Sequence, residues 1–373
     1  MIVSRNTLRD MYLVARFLVL LPWWVLRRLT LKKMRPEEVR TVLVVRHDRI
    51  GDMVLTTPLF KALRRAFAQA RIIVLGSRVN AAVVEHHPCV DEVLIYEDES
   101  QLRRLGRSLK IGLAVDAYYT YLFRPAWHTL LLGARYRVGF EKAGREVCFN
   151  LRGPREGKEQ HMVDQVLDIA RSLGIEAQER EPSLYISDEE KRWAANLLVR
   201  EGLDGNSVKV AFHPGAYYPS QRWPLERFLA LGNRLLERVA EARLLFFGGP
   251  NEKDLLDKAR AALTDRRARV FSDLSIRQFM ALLSLCHVSV CNNSGALHIS
   301  CGLGVPTVSW LGPADPVLWR PRGPRDILVG KEIACQPCYK DVCGRHACLL
   351  NISVDEVWRA LQAQLARAAG AGS

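Results

Sequence analysis

No stretch of this 373-residue chain supplies the roughly 20 uninterrupted apolar residues that a membrane-spanning helix needs. The nearest approach, residues 11–26, is broken by Arg16 and contains Pro22. No small-residue cleavage site follows it, so it does not read as a secretory signal. Zinc-finger spacing, an RNA-recognition signature and basic runs interleaved with aromatics are also missing, which excludes nucleic acid as an expected partner. Acidic residues are in the minority, 40 against 54 Lys and Arg, for a net charge of +14. That excess points to an anionic partner, such as a phosphorylated substrate or a membrane face. What is present is globular: 49% hydrophobic and 25% charged residues, with length for two full cores. The nine cysteines are scattered except for four near the C-terminus, which fits a reducing compartment and hence a cytoplasmic location.

Along the chain, residues 1–40 read as a membrane-associating segment. The pair Trp23-Trp24 beside Arg27, Arg28, Lys32, Lys33 and Arg35 favours a helix lying in the cytoplasmic membrane interface over one packed on the core. Residues 41–46 form a continuous apolar run, the pattern of a parallel strand buried on both faces. A loop at residues 47–52 and a helix over 53–67 follow, with Pro58 as a kink. Strands are expected at 71–75, 93–96 and 112–116, which gives an α/β, doubly wound sheet. A second α/β half repeats the pattern, with strands at 208–213, 243–247 and 287–290. The expected domains are therefore 41–185 and 186–373.

Three stretches carry chemistry. Asp48 and Asp52 sit where a strand-end loop meets the ligand crevice of such a sheet. Either could act as a general base, and Asp52 could instead cap the helix that follows. In the second half a strand ends in Asn293-Ser294-Gly295, and a helix begins there. Its free N–H groups and positive end suit a phosphate, Gly295 allows close approach, and His298 lies one turn further on. Arg46, Arg49, Arg78 and Arg137 could bind carboxylates or phosphates of an anionic acceptor. Cys335, Cys338, Cys343 and Cys348 are close enough in sequence for a structural zinc site, two disulfides or free thiols.

In order, the chain shows Arg46-x-Asp48-Arg49-Ile50-Gly51-Asp52, Thr56-Thr57-Pro58, His213-Pro214-Gly215-Ala216, Arg222-Trp223-Pro224, Gly248-Gly249-Pro250, Asn293-Ser294-Gly295-x-x-His298, Gly304-Val305-Pro306-Thr307 and Gly312-Pro313. This set resembles glycosyltransferase family 9, the heptosyltransferases of the lipopolysaccharide core. The resemblance implies a GT-B fold, with two Rossmann-like domains facing a central cleft, plus an N-terminal helical extension outside it. It also implies inverting transfer of a heptose or related sugar from a nucleotide-sugar donor, ADP-heptose in the best-known cases, to a lipid-linked anionic saccharide. No cofactor is then required. The family base matches Asp52, and the donor site matches His213, Gly215, Arg222, Glu252, Asn293, Ser294, Gly295 and His298. Two positions depart from the pattern: Gln221 replaces a frequent lysine, leaving Arg222 as the nearby cation, and Asn293 replaces a frequent aspartate. The competing readings are an epimerase-like enzyme of the same build and a basic membrane-associated binding protein.

Overall fold

Helix α1 (Arg5–Thr30) leads into the first of two parallel sheets. The computed structural model describes residues 5–155, 159–205 and 207–370, so residues 1–4 of the expected membrane segment lie outside the described residues. The chain divides into two compact units, Met1–Arg180 and Glu181–Ser373. The division precedes residue 185 because the passage beyond it packs on the second unit: the Leu184 N–H donates to the Gly302 carbonyl at 2.7 Å, and Arg277 donates to the Tyr185 carbonyl at 2.9 Å.

In the first unit, β1 (Thr41–Val45) runs through the centre of the sheet, its last four side chains fully buried, as an unbroken β-branched and leucine run demands. Helix α2 (Ile50–Ala66), β2 (Arg71–Gly76), β3 (Glu92–Ile95), α3 (Glu99–Leu109), β4 (Leu113–Asp116), α4 (Arg124–Leu131), β5 (Tyr136–Val138) and α5 (Met162–Ser172) follow. The strand order is β3-β2-β1-β4-β5, all parallel. Helix α2 starts at Ile50, three residues before the expected position, which places Asp52 in its first turn. Pro58 lies inside α2 and cannot donate to the Val54 carbonyl; the Thr57 hydroxyl donates there instead, at 2.8 Å.

The second unit contains α6 (Asp188–Arg200), β6 (Val208–His213), α7 (Leu225–Arg238), β7 (Ala242–Phe247), α8 (Lys253–Ala262), β8 (Ala268–Phe271), α9 (Ile276–Ser284), β9 (Val288–Asn292), α10 (Gly295–Gly302), β10 (Thr307–Trp310), α11 (Pro316–Trp319), β11 (Ile327–Leu328), α12 (Ala347–Leu350) and α13 (Val354–Gly370). The order is β11-β10-β9-β6-β7-β8, again all parallel. Its core is aromatic: Phe212, Trp223, Phe228, Phe246 and Trp310 are buried together. In each sheet the order reverses beside the first strand, between β1 and β4 and between β6 and β9. The carboxyl ends of strands at such a reversal leave a crevice where the helices depart to opposite faces.

Candidate active site

At the β1/β4 reversal the chain places a buried cation between two carboxylates. Arg46, 1% exposed, pairs through Nη2 with Asp52 Oδ1 at 2.7 Å and through Nε with Asp48 Oδ1 at 3.2 Å. Its Nη1 donates to the Ala117 carbonyl beyond β4. Burial opposes the charge on Arg46, but the two aspartates outweigh it and hold its pKa above the ordinary arginine value. The loop itself is held by Asn80, whose buried Nδ2 donates to the carbonyls of Arg46 at 3.0 Å and Arg49 at 3.4 Å. Arg49, not Asp52, occupies the N-cap position of α2, so the Asp52 carboxylate is not consumed as a cap. It sits in the first turn, where the helix dipole favours an anion. Asp48 differs: burial pushes its carboxyl up to about 7 against the pull of Arg46, and the neighbouring Asp52 charge adds to the rise.

Beside this pair lies a chain of aromatic and imidazole groups that sequence reasoning passed over. His47 Nε2 is 3.0 Å from His128 Nδ1, and His47 Nδ1 is 2.9 Å from the Tyr118 hydroxyl. Tyr96 stacks on His47, with ring centroids 4.6 Å apart. Arg124 Nε–H donates to His128 Nε2 at 3.3 Å, so a neutral His128 carries its proton on Nδ1 and donates to His47 Nε2. His47 then holds its own proton on Nδ1 and donates to Tyr118. Burial keeps both imidazoles neutral, lowering His47 to about 4 and His128 below its ordinary value. The Tyr118 oxygen also accepts from the His47 backbone N–H at 2.9 Å, so the phenolic proton is directed away from this chain. The segment bearing Tyr118 is fixed by Arg145, which donates to the carbonyls of Tyr118 and Thr120 at 2.9 Å each and pairs with the fully buried Asp116 at 2.6 Å.

At the β6/β9 reversal of the second unit, His213 ends β6 and its Nε2 lies 3.8 Å from Glu252 Oε2. Glu252 Oε2 accepts from the Gly249 N–H at 2.8 Å. Gly215 makes that arrangement possible: a Cβ there would lie 1.8 Å from Glu252 Oε1. Asn292, the last residue of β9 and fully buried, uses its whole amide. Its Oδ1 accepts from Trp223 N–H at 2.9 Å and Trp310 Nε1–H at 2.7 Å, while its Nδ2 donates to the carbonyls of Pro214 at 2.7 Å and Gly215 at 3.3 Å. One side chain thus locks the His213-Pro214-Gly215 turn to the strand that delivers Asn293 and Ser294. Ser294 takes the N-cap position of α10 with extended backbone, but its hydroxyl makes no capping bond and is buried without a partner. The Leu297 N–H bonds the Ser294 carbonyl at 3.1 Å, while the Gly295 and Ala296 N–H groups that open α10 have no carbonyl of their own helix to bond. Asn293 and His298 are buried beside this terminus in sequence, and the His298 ring lies 6.3 Å from that of Trp319. Arg222 leans back on the same loop, donating from Nε to the Ala216 carbonyl at 2.8 Å.

Several expectations change. Arg46 was expected to meet an acceptor; instead it is buried and holds Asp52 and Asp48. Arg137 pairs in register with Ala114, and so does Leu43, which puts it mid-sheet and back from the strand ends that carry Asp52. Its guanidinium is engaged by the carbonyls of Cys148 at 2.9 Å and Ala134 at 2.8 Å. Arg49 remains exposed at the loop. Zinc is not supported: all nine cysteines are free thiols, and among the described residues no three His, Cys, Asp or Glu side chains are gathered to hold a metal. Cys335 is exposed, Cys348 is buried on α12, and the Cys343 sulfur accepts from the His346 N–H at 3.3 Å.

The chain and its fold have counterparts. The chain is 24% identical over 346 residues to lipopolysaccharide heptosyltransferase 2 of Escherichia coli, covering 87% of this chain and 98% of that protein. The solved structure described as E. coli ADP-heptose lps heptosyltransferase II superposes with a TM-score of 0.74 at 24% identity over 88% of this chain and 99% of the other. E. coli heptosyltransferase WaaC with ADP gives 0.65 at 17% identity, over 88% and 99%. These likenesses show the GT-B type of fold. The sequence profile of glycosyltransferase family 9 (heptosyltransferase) matches residues 102–348, a stretch that begins after the Asp52 turn and takes in the whole second site. With that match spanning more than half its length, the chain belongs to glycosyltransferase family 9 and is a glycosyltransferase.

Proposed function

We propose that this protein moves a heptose, with inversion, from ADP-heptose to an anionic lipopolysaccharide inner-core acceptor at the inner face of the cytoplasmic membrane. The observation that carries the reading is Asp52, a carboxylate clamped by a buried arginine in the first turn of a helix at a sheet reversal. As the acceptor oxygen attacks the anomeric carbon, Asp52 takes its proton, and the bond from that carbon to the diphosphate oxygen breaks. The departing diphosphate gains negative charge. The N–H groups of the first turn of α10, the Ser294 hydroxyl and the Arg222 guanidinium are the donors for it, pre-organised by Asn292. Gly215 and Glu252 belong to the same donor site, and Glu252 is the group for the nucleoside ribose. Arg49, exposed at the loop, is the cation for the acceptor's anionic groups. Of the two solved relatives, one is described as an ADP-heptose heptosyltransferase and the other holds ADP, which supports the choice of donor.

Calorimetry against ADP-, UDP- and GDP-sugars tests the donor, followed by a transfer assay on a soluble core acceptor. Preference for ADP-heptose and product only with acceptor present are expected. Donor consumption without acceptor would instead favour the epimerase-like reading, and absence of any nucleotide-sugar affinity would remove both.

A further inference from the structure

Helix α1 is built inside out. Leu13, Arg16, Leu20, Trp24, Arg27 and Leu31 recur at three- and four-residue spacing and are the partly or fully covered positions between residues 12 and 31. Two of them are arginines bonded to the first unit. Arg16 donates to the carbonyls of Tyr121, at 3.0 Å, and Ala143. Arg27 donates to those of Phe149 and Leu151 at 2.8 Å each and pairs with Glu141 at 2.5 Å. The opposite stripe, Val14, Leu18, Leu21, Val25 and Leu29, is apolar and open, with Leu18 62%, Val25 50% and Leu29 81% exposed. A helix that turns Arg16 and Arg27 inward and a continuous apolar stripe outward is ordered for a non-aqueous neighbour.

We infer that α1 lies flat in the surface of an anionic phospholipid bilayer, its outward stripe sunk among the lipids and its inward arginines tying the first unit to that surface. This rests on, and deepens, the membrane part of the proposed function. Charge selects the occupant. Between Tyr12 and Arg35 there is no acidic residue, against Arg16, Arg27, Arg28, Lys32, Lys33 and Arg35. Arg28 lies over the Trp24 ring at 3.7 Å, and Lys33 is exposed. Anionic headgroups complement that row, whereas a second copy of α1 would bring like charge to like. Among the described residues no helix is long and apolar enough to cross a membrane. Because Arg27 bonds the segments around Phe149 and Leu151, attachment fixes the unit that carries Asp52 beside the bilayer, where a lipid-linked acceptor resides.

The test is flotation of the full chain with vesicles of phosphatidylcholine alone or mixed with phosphatidylglycerol. The expected result is binding that favours the mixed vesicles, a roughly tenfold or greater loss in Leu18→Glu/Val25→Glu, and loss of the anionic preference in Arg28→Gln/Lys33→Gln. All four positions are exposed, so unchanged circular dichroism and unchanged ADP affinity are the controls for folding. If Leu18→Glu/Val25→Glu floats like the parent, the α1 assignment is overturned while membrane association stands. A parent chain that floats with neither vesicle overturns both, and a dimer dissociated by the same variant would show that the stripe covers a second copy. Transfer to a soluble acceptor, measured in parallel, keeps either failure separate from failure of the heptosyltransferase reading.

Discussion

Replacing Gly215 by alanine should damage the proposed donor site through one neighbour, Glu252. The backbone at Gly215 is not in the left-handed region, so alanine meets no conformational penalty there. The added Cβ would instead lie 1.8 Å from Glu252 Oε1 and 2.1 Å from its Cδ, and the Glu252 side chain must move. Moving it breaks the 2.8 Å bond from the Gly249 N–H, a charge-assisted interaction contributing about 1.5–3 kcal/mol. In a unit the size of Glu181–Ser373 this corresponds to a fall in melting temperature of roughly 3–12 °C. The assay is a double-mutant cycle by chemical denaturation with Gly215→Ala, Glu252→Ala and the pair. In the Glu252→Ala background the glycine change should be nearly silent, within about 0.5 kcal/mol. Additive losses in the double variant would refute the claim that Gly215 is there to admit Glu252.

Two further outcomes concern the first unit. Arg46→Met strips the cation from between two carboxylates and should destabilise the fold by about 3–5 kcal/mol. Turnover should collapse in that variant while ADP affinity, measured by calorimetry, is retained. Asp48→Asn should change the pH dependence. Because the folded Asp48 carboxyl is raised from 3.8 to about 7, its contribution to stability is lost as pH climbs through that window. The asparagine variant should therefore lose that decline, seen in denaturation curves across the same range, together with any ionisation near pH 7 in the rate profile. His47 acts with the opposite sense: lowered from 6.5 to about 4, it withdraws stability as pH falls through that interval.

The apolar periods and the turn chemistry made both sheets readable from sequence, because β1, β6 and β9 are largely buried strands rich in apolar residues. The strand-turn-helix passage at Asn293-Ser294-Gly295 was equally legible, since a strand, a polar turn with glycine and a helix in succession have few structural uses. Short elements such as β8, β10 and β11 were missed; β11 has only two residues, and Arg269 and Ser309 interrupt the apolar runs of β8 and β10. Asn292 and Asn80 escaped notice because a buried asparagine reveals its partners only when distant segments converge, here 69 residues apart for Asn292 and Trp223. Arg46 and Arg137 were read as ligand cations since arginine is mostly exposed. In the fold their guanidinium groups are turned onto aspartates and main-chain carbonyls. The tautomer chain through His47 and His128 is likewise a product of three strand ends and α4 meeting, with no local signature.

The most direct measurement is the transfer rate of Asp52→Asn alongside its ADP-heptose affinity. The substitution keeps the size of the side chain and an oxygen for Arg46 but removes the proton acceptor. A loss of about 10²–10⁴-fold in kcat, with donor affinity unchanged, is the predicted result. Near-parental turnover in that variant would contradict the role of Asp52 as the base.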